Sequence, residues 1–130
     1  MISIMIPTRG RPQWLCEAVD SCYSLAGDKS HLEFVFKVDV DDRETVETVN
    51  RLATILPAKL IVSPRGDGYA EMHTWVDQMS RLASGDWLFL FNDDARMLTQ
   101  NWDLVLGSLA VSFCWHRRPY VVLCAETVGK

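Results

Sequence analysis

The chain has 130 residues, 48% of them hydrophobic, 10% aromatic and 23% charged, with seven glycines and five prolines. That is the length of one domain and the composition of one with a real core, which excludes disordered, collagen-like and low-complexity chains. Thirteen basic against seventeen acidic residues leave a net charge of −4; the densest basic spot, His116-Arg117-Arg118, is too small a stripe for a nucleic-acid backbone.

Ile2 to Ile6 reads as a strand. Pro12 fits the first turn of a helix, where its missing N–H costs nothing, and Leu15, Ala18, Val19, Cys22 and Ala26 recur at helical spacing up to Gly27. Leu32 to Val38, rich in Phe and Val, is the next strand. Asp42 suits the N-cap of a helix carrying Val46, Val49, Ala53 and Leu56 and ending before Pro57. Lys59 to Val62 is a short strand, and Ser63-Pro64-Arg65-Gly66-Asp67-Gly68 is turn-rich. Met72, Trp75, Val76, Met79 and Ala83 line one face of a helix ended by Gly85. Trp87 to Phe91 is an apolar strand expected to be buried on both faces, interrupted by Asn92-Asp93-Asp94. Trp102, Val105, Leu106, Leu109 and Phe113 form a further apolar helical stripe, and Tyr120 to Cys124 a last strand.

Strands alternating with helices predict right-handed crossovers and an α/β fold. The expected architecture is a three-layer α/β/α sandwich with a mostly parallel sheet. No linker or repeat divides the chain, so residues 1–130 are expected to form a single domain. No stretch of 18 or more apolar residues predicts a transmembrane segment. The N-terminus lacks a basic leader and a long apolar core, so no signal peptide is expected. The cysteines at 16, 22, 114 and 124 form no C-x-x-C pair, which predicts reduced, buried thiols and a cytoplasmic protein.

In an open parallel sheet, ligands bind beyond the carboxyl ends of the strands. Here those ends deliver Pro7-Thr8-Arg9-Gly10-Arg11, then Asp39, Asp41, Asp42 and Arg43, then Arg65-Gly66-Asp67-Gly68, then Asn92-Asp93-Asp94. Paired oxygen ligands on a strand end suit a hard cation, Mg²⁺ or Mn²⁺, although Asn and Asp also build ordinary turns. Asp39 closes an apolar strand where a carboxylate has no packing role. Arg65, in a loop with the flexible Gly66 and Gly68, suits a phosphate as well as it suits solvent; Arg9 and Arg11 share that ambiguity. His73 is expected to be partly buried structure, and Trp102 to shape a ligand wall.

These pieces, in this order, resemble the nucleotide-binding half of GT-A fold glycosyltransferases, a Rossmann-like architecture. The likeness is to the large inverting family-two type that includes polysaccharide and rhamnosyl transferases. Ile4 to Pro12 with Leu15 and Ala18 is similar to the family's opening strand, proline-threonine turn and helix. Gly68-Tyr69-Ala70, then Ala83 to Asp94, resembles its helix and metal-binding strand, and Thr99-Gln100-Asn101-Trp102 the segment after it. The match covers roughly residues 2–103. The resemblance implies that Pro7, Thr8, Arg9, Asp39, Asp41, Arg65 and Asp93 bind a nucleotide-diphosphate sugar. Asp39 would accept from the base and Arg65 would lie near the diphosphate. Asp94 and Asn92 would stand at the ends of a DXD-like motif that binds Mn²⁺ or Mg²⁺. Asn92 replaces the usual first Asp, and Asp39-Val40-Asp41-Asp42-Arg43 lacks the family's common glycine-serine continuation.

The implied activity is transfer of a sugar to an acceptor hydroxyl by a hexosyltransferase-like enzyme. The sequence marks no catalytic base, because family members continue into an acceptor-binding half that supplies it. Two other readings stand beside this one: a non-catalytic nucleotide-sugar binding module, and a metal-dependent nucleotidyltransferase. Without an acceptor half, exposed apolar surface predicts a homo-oligomer or a partner subunit.

Overall fold

A computed structural model describes residues 1–114, with side chains up to residue 109. Along the chain run β1 (Ile2–Thr8), α1 (Pro12–Ser24), β2 (Leu32–Asp39), α2 (Arg43–Leu52), β3 (Ala58–Ser63), α3 (Met72–Leu82), β4 (Trp87–Leu90) and α4 (Trp102–Cys114). Single 3₁₀ turns at Lys29–His31 and Gly68–Glu71 precede β2 and α3. The strands form one parallel sheet in the order β3-β2-β1-β4. The predicted α/β fold with a parallel sheet is therefore present. The strand predicted over Tyr120 to Cys124 lies outside the described residues.

Alternation along the strands sets the layers. Ile2, Ile4 and Ile6 of β1 and Leu32, Phe34, Phe36 and Val38 of β2 face one side. There they pack with Leu15, Ala18, Val19 and Cys22 of α1, Val49 of α2 and Trp102 of α4. Phe34 and Phe36 stack with ring centroids 6.0 Å apart. On the other side Met5 and Val35 meet Met79, Trp75 and Val76 of α3. Each large buried side chain contributes about 1.5–3 kcal/mol, so β1 and β2, covered on both faces, anchor the fold.

Two expectations are corrected by this packing. The strand predicted to be buried on both faces, Trp87 to Phe91, is only half covered. Its Trp87 and Phe89 pack on the main core, but Leu88 and Leu90 are 47% and 41% exposed. The reason is placement: α3 lies across β1, β2 and β3, and β4 pairs with β1 at the end of the order of the described strands. Trp102 is not a ligand wall. It is buried in the core, and its indole N–H donates to the Cys22 carbonyl at 2.8 Å.

Two polar clusters fix the parts of the fold far from the carboxyl ends. Asp103, in the first turn of α4, accepts from the backbone N–H groups of Gly27 at 2.6 Å and Asp28 at 2.9 Å. Burial pushes its carboxyl up, but these N–H donors outweigh it and hold the group below the usual aspartate range. At the amino ends of β1 and β2, Ser3 donates to Glu33 at 2.5 Å and accepts from the N–H of Gly85 at 2.8 Å. Lys59 lies 3.1 Å from the other Glu33 oxygen. No side chain fits at Gly85: a Cβ there would stand 2.5 Å from the Ser3 hydroxyl and 2.8 Å from the Met1 carbonyl.

Gly85→Ala is expected to destabilise the protein by about 1–3 kcal/mol, the usual cost of forcing atoms into filled space; an unchanged urea midpoint would contradict this close packing. Asp103→Asn loses one acceptor oxygen and is expected to cost about 1–3 kcal/mol at neutral pH. Because the folded carboxyl titrates below its unfolded value, its contribution is complete above the unfolded pKa. It is lost as pH falls through the lower folded one. The stability gap between wild type and Asp103→Asn should therefore narrow in acid, below about pH 4.

Candidate functional site

All four strands end at the same edge of the sheet, and a cavity of about 520 Å³ opens there. Pro7, Thr8, Arg9 and Arg11 line it from the end of β1 and the loop into α1, and Lys37 and Asp39 from β2. Arg65, Tyr69, Met72 and Trp75 line it from the segment between β3 and α3 and from α3 itself, and Asn92, Asp93 and Asp94 from the loop after β4. Thus Pro7, Thr8, Arg9, Asp39, Arg65, Asn92, Asp93 and Asp94, separated by up to 87 positions, share one cavity. Asp41 does not line it.

The inner wall is an ionic chain. Asp39 is buried at the end of β2, and its two oxygens hold different cations. Oδ2 accepts from Arg9 at 2.8 Å, and Oδ1 accepts from the Lys37 ammonium. Lys37 is itself buried, in register beside Pro7 of β1 and Ile61 of β3. Its ammonium lies 4.7 Å from the Trp75 ring centroid, a cation–π contact, and 3.4 Å from the Pro64 carbonyl. Asp41 has a different place from the one expected. It is exposed and grips Arg9 through both oxygens, at 2.6 and 3.0 Å. The Arg9 hydrogen bond holds the Asp41 carboxyl below the usual range, and Asp41 with Asp39 raises the Arg9 guanidinium further above its own. Asp42 behaves as predicted, capping α2 through the N–H of Thr45 at 3.3 Å. It also accepts from the N–H of Gly10 at 2.6 Å, which ties the loop after β1 to the loop after β2.

The outer wall is the Asn92-Asp93-Asp94 turn. Its entry is fixed by Phe91, whose N–H donates to the Met5 carbonyl at 2.9 Å and extends the β1–β4 ladder by one bond. Asp93 is largely buried and accepts from the Thr8 hydroxyl at 2.9 Å; Asn92 and Asp94 are exposed. The Arg11 guanidinium approaches both carboxylates, at 3.5 Å from Asp93 and 3.7 Å from Asp94. No cluster of three or more His, Cys, Asp or Glu side chains suited to a metal occurs among the described residues. What the turn offers is two adjacent hard oxygen donors that already attract a cation, the Arg11 side chain. That fits an ion of the Mg²⁺ or Mn²⁺ type, which takes one or two carboxylates and completes its shell with water and phosphate oxygens.

The third wall comes from the turn before α3. Gly66 and Gly68 adopt φ of +62° and +65°, the left-handed region that favours glycine. They bend the chain so that both Arg65 and Tyr69 line the cavity. Tyr69 is 76% exposed and sits 6.3 Å, centroid to centroid, from Trp75. Lys37, Tyr69, Met72 and Trp75 are lining residues that sequence reasoning did not assign. Lys37 carried a signal, a lysine inside an otherwise apolar strand; Met72 and Trp75 looked like ordinary core positions of α3. His73, expected to be partly buried, is exposed and does not line the cavity. Among the described cysteines, Cys16 and Cys22 are free, and burial pushes the Cys22 thiol up to about 12, which makes it a poor nucleophile. No described helix is long and apolar enough to cross a membrane.

No family model and no curated protein matches the chain. Solved structures do match its fold. S. aureus TarS 1-349 superposes with a TM-score of 0.63 at 18% identity, over 89% of this chain and 33% of that one. TarS 1-349 in complex with UDP-GlcNAc gives the same score over 32% of its length. The mannosyltransferase PcManGT from Pyrobaculum calidifontis, in complex with GDP-Man and Mn²⁺, gives 0.62 at 20% identity, over 91% of this chain and 32% of that one. The chain spans about a third of the length of these structures. At such identities the likeness concerns the fold alone: an α/β fold with a mostly parallel sheet, shared with the structures it superposes on.

Proposed function

We propose that the cavity binds a nucleotide-diphosphate sugar with a divalent cation, and that the protein takes part in transfer of the sugar to an acceptor hydroxyl. The observation that carries this reading is the convergence of all four strand ends on one cavity whose walls alternate in charge. Arg9, Arg11, Lys37 and Arg65 stand against Asp39, Asp93 and Asp94. Further support comes from similar folds that were solved with UDP-GlcNAc and with GDP-Man and Mn²⁺.

In this reading the nucleoside lies along the inner wall and the diphosphate at the outer one. Pro7, Thr8 and Arg9 line the nucleoside side. Asp39 keeps spare lone pairs on both oxygens beyond those given to Arg9 and Lys37, so it still accepts an N–H from a base. Arg65 donates to the diphosphate. Asp94 and Asp93, with Asn92 beside them, hold the cation, which when bound neutralises charge developing on the diphosphate leaving group. Thr8 keeps the Asp93 carboxylate aimed at that position.

A second reading is favoured by one observation. Every carboxylate lining the cavity already faces a cation: Asp39 faces Arg9 and Lys37, and Asp93 and Asp94 face Arg11. None of them is placed as a free base for an acceptor hydroxyl. That suits a binding module whose acceptor half and base lie elsewhere. Calorimetry with UDP, GDP, ADP and CDP, with and without Mn²⁺, tests both readings. Metal-dependent binding is expected, weakened at least about tenfold in Asp94→Ala, as for loss of a charged ligand contact. Sugar transfer or hydrolysis of a bound nucleotide-sugar marks the enzyme, and binding without turnover marks the module. Absence of binding to every diphosphate would reject both, and pyrophosphate release from a nucleoside triphosphate would point to a nucleotidyltransferase instead.

A further inference from the structure

Resting on the reading above, we infer that Arg11 is an internal competitor for the divalent cation, and that it makes cation binding depend on an incoming diphosphate. The two arginines of the loop after β1 are held very differently. Arg9 is locked by hydrogen bonds of 2.6 to 3.0 Å to Asp39 and Asp41. Arg11 lies 3.5 and 3.7 Å from Asp93 and Asp94, beyond ordinary hydrogen-bond distance. Its hold on them is Coulombic rather than directional. Its other contact is the Trp14 ring, with the guanidinium carbon 5.6 Å from the ring centroid. Its side chain is 42% exposed, and although it occupies the N-cap of α1 it makes no capping hydrogen bond. No directional hydrogen bond among the described residues fixes its guanidinium.

A single positive charge therefore occupies the space beside the two carboxylates that a divalent cation needs. The two cations repel, so an ion entering alone must drive Arg11 away from Asp93 and Asp94. A diphosphate changes that balance. Its oxygens offer Arg11 a better partner, with bidentate geometry that the carboxylates do not give it here. Arg11 then leaves the carboxylates as the ion arrives, and the two ligands favour each other. By linkage the effect is reciprocal: the diphosphate tightens the ion as much as the ion tightens the diphosphate.

The test is calorimetry of MnCl₂ alone, and again with saturating UDP or GDP, on wild type, Arg11→Gln and Arg11→Lys, with thermal melts to verify folding. Arg11→Gln is expected to bind Mn²⁺ alone at least about fivefold more tightly than wild type, the lower end of ordinary coupling. It should also show a smaller gain in Mn²⁺ affinity when the diphosphate is added. Arg11→Lys, which keeps the charge, should stay close to wild type, and Arg11→Gln/Asp94→Ala should lose the gain. Equal or weaker Mn²⁺ binding by Arg11→Gln, or none by either protein, would overturn the inference. The two failures are separable. If no diphosphate binds but Arg11→Gln still tightens Mn²⁺, the competition stands and the nucleotide reading falls. If diphosphates bind with Mn²⁺ but Arg11→Gln leaves Mn²⁺ alone unchanged, the nucleotide reading stands and the competition falls.

Discussion

The Asp39 carboxylate, buried at the end of β2 and shared between Arg9 and Lys37, is the interaction on which the cavity depends. A buried carboxylate is costly unless paired, and a buried ammonium equally so. Each therefore makes the other tolerable, and neither can be removed alone without leaving an uncompensated charge. The pairing also does geometric work. Arg9 belongs to the loop after β1, and the carbonyl nearest Lys37 belongs to Pro64, in the turn after β3. The ring under the ammonium belongs to α3. One carboxylate thus fixes the relative positions of three of the four segments that enclose the cavity. A chain built this way has a wall set before any ligand arrives.

The same sheet face is polar at both ends, and the two ends do different things. Ser3 and Glu33 are register partners at the amino end, as Pro7 and Lys37 are at the carboxyl end, with Met5 and Val35 between them. At the amino end the groups bond to one another within the protein. Glu33 takes the Ser3 hydroxyl, the Ser84 N–H and Lys59, and Ser3 takes Gly85. Close packing at Gly85 leaves no room for a side chain beside that cluster. At the carboxyl end the groups are paired too, but they line a cavity and face open space. Burial of ionisable groups is common to both ends. What marks the site is the cavity beside its paired groups.

Much of this was legible in the residues. The apolar runs of β1 and β2, the helical stripes of α1 and α3, and the Asp42 cap all rest on local rules that the packing does not overrule. The edge of the sheet was legible too, because parallel topology carries every strand end to one side. Three things were not. Strand order is a tertiary property, so an apolar run such as Trp87 to Leu90 reads the same whether it is central or lies, as here, at the end of the described sheet. The partition of Asp39 and Asp41 depends on which of them meets Lys37, and that is decided by the direction of the strand's last side chains. Trp102 lies close in sequence to the acidic turn, but α4 swings it back under α1, where the Cys22 carbonyl satisfies its N–H. Sequence proximity to a motif was a poor guide there, because the loop between them reverses the chain.

The cavity's charge follows from how its parts are paired. Lys37 and Asp39 cancel, Arg9 is balanced by Asp41 outside the cavity, and Arg11 is only loosely set against Asp93 and Asp94. Among the described residues Arg65 has no ion pair of the kind that holds Arg9. The firmly held charges are therefore on the inner wall, where the proposed recognition of a neutral base would need fixed donors and acceptors. The loosely held ones face each other across the outer wall. Under the proposed function, a diphosphate there would meet Arg11 and, from the neighbouring wall, Arg65, but also the repulsion of two carboxylates, which a divalent cation between them would convert into attraction. An outer wall of this composition is poorly suited to either ligand alone, because each would face like charges without the other. The inner wall provides rigidity, the outer wall provides conditional charge, and the separation between them is set by the register of β1 between β2 and β4.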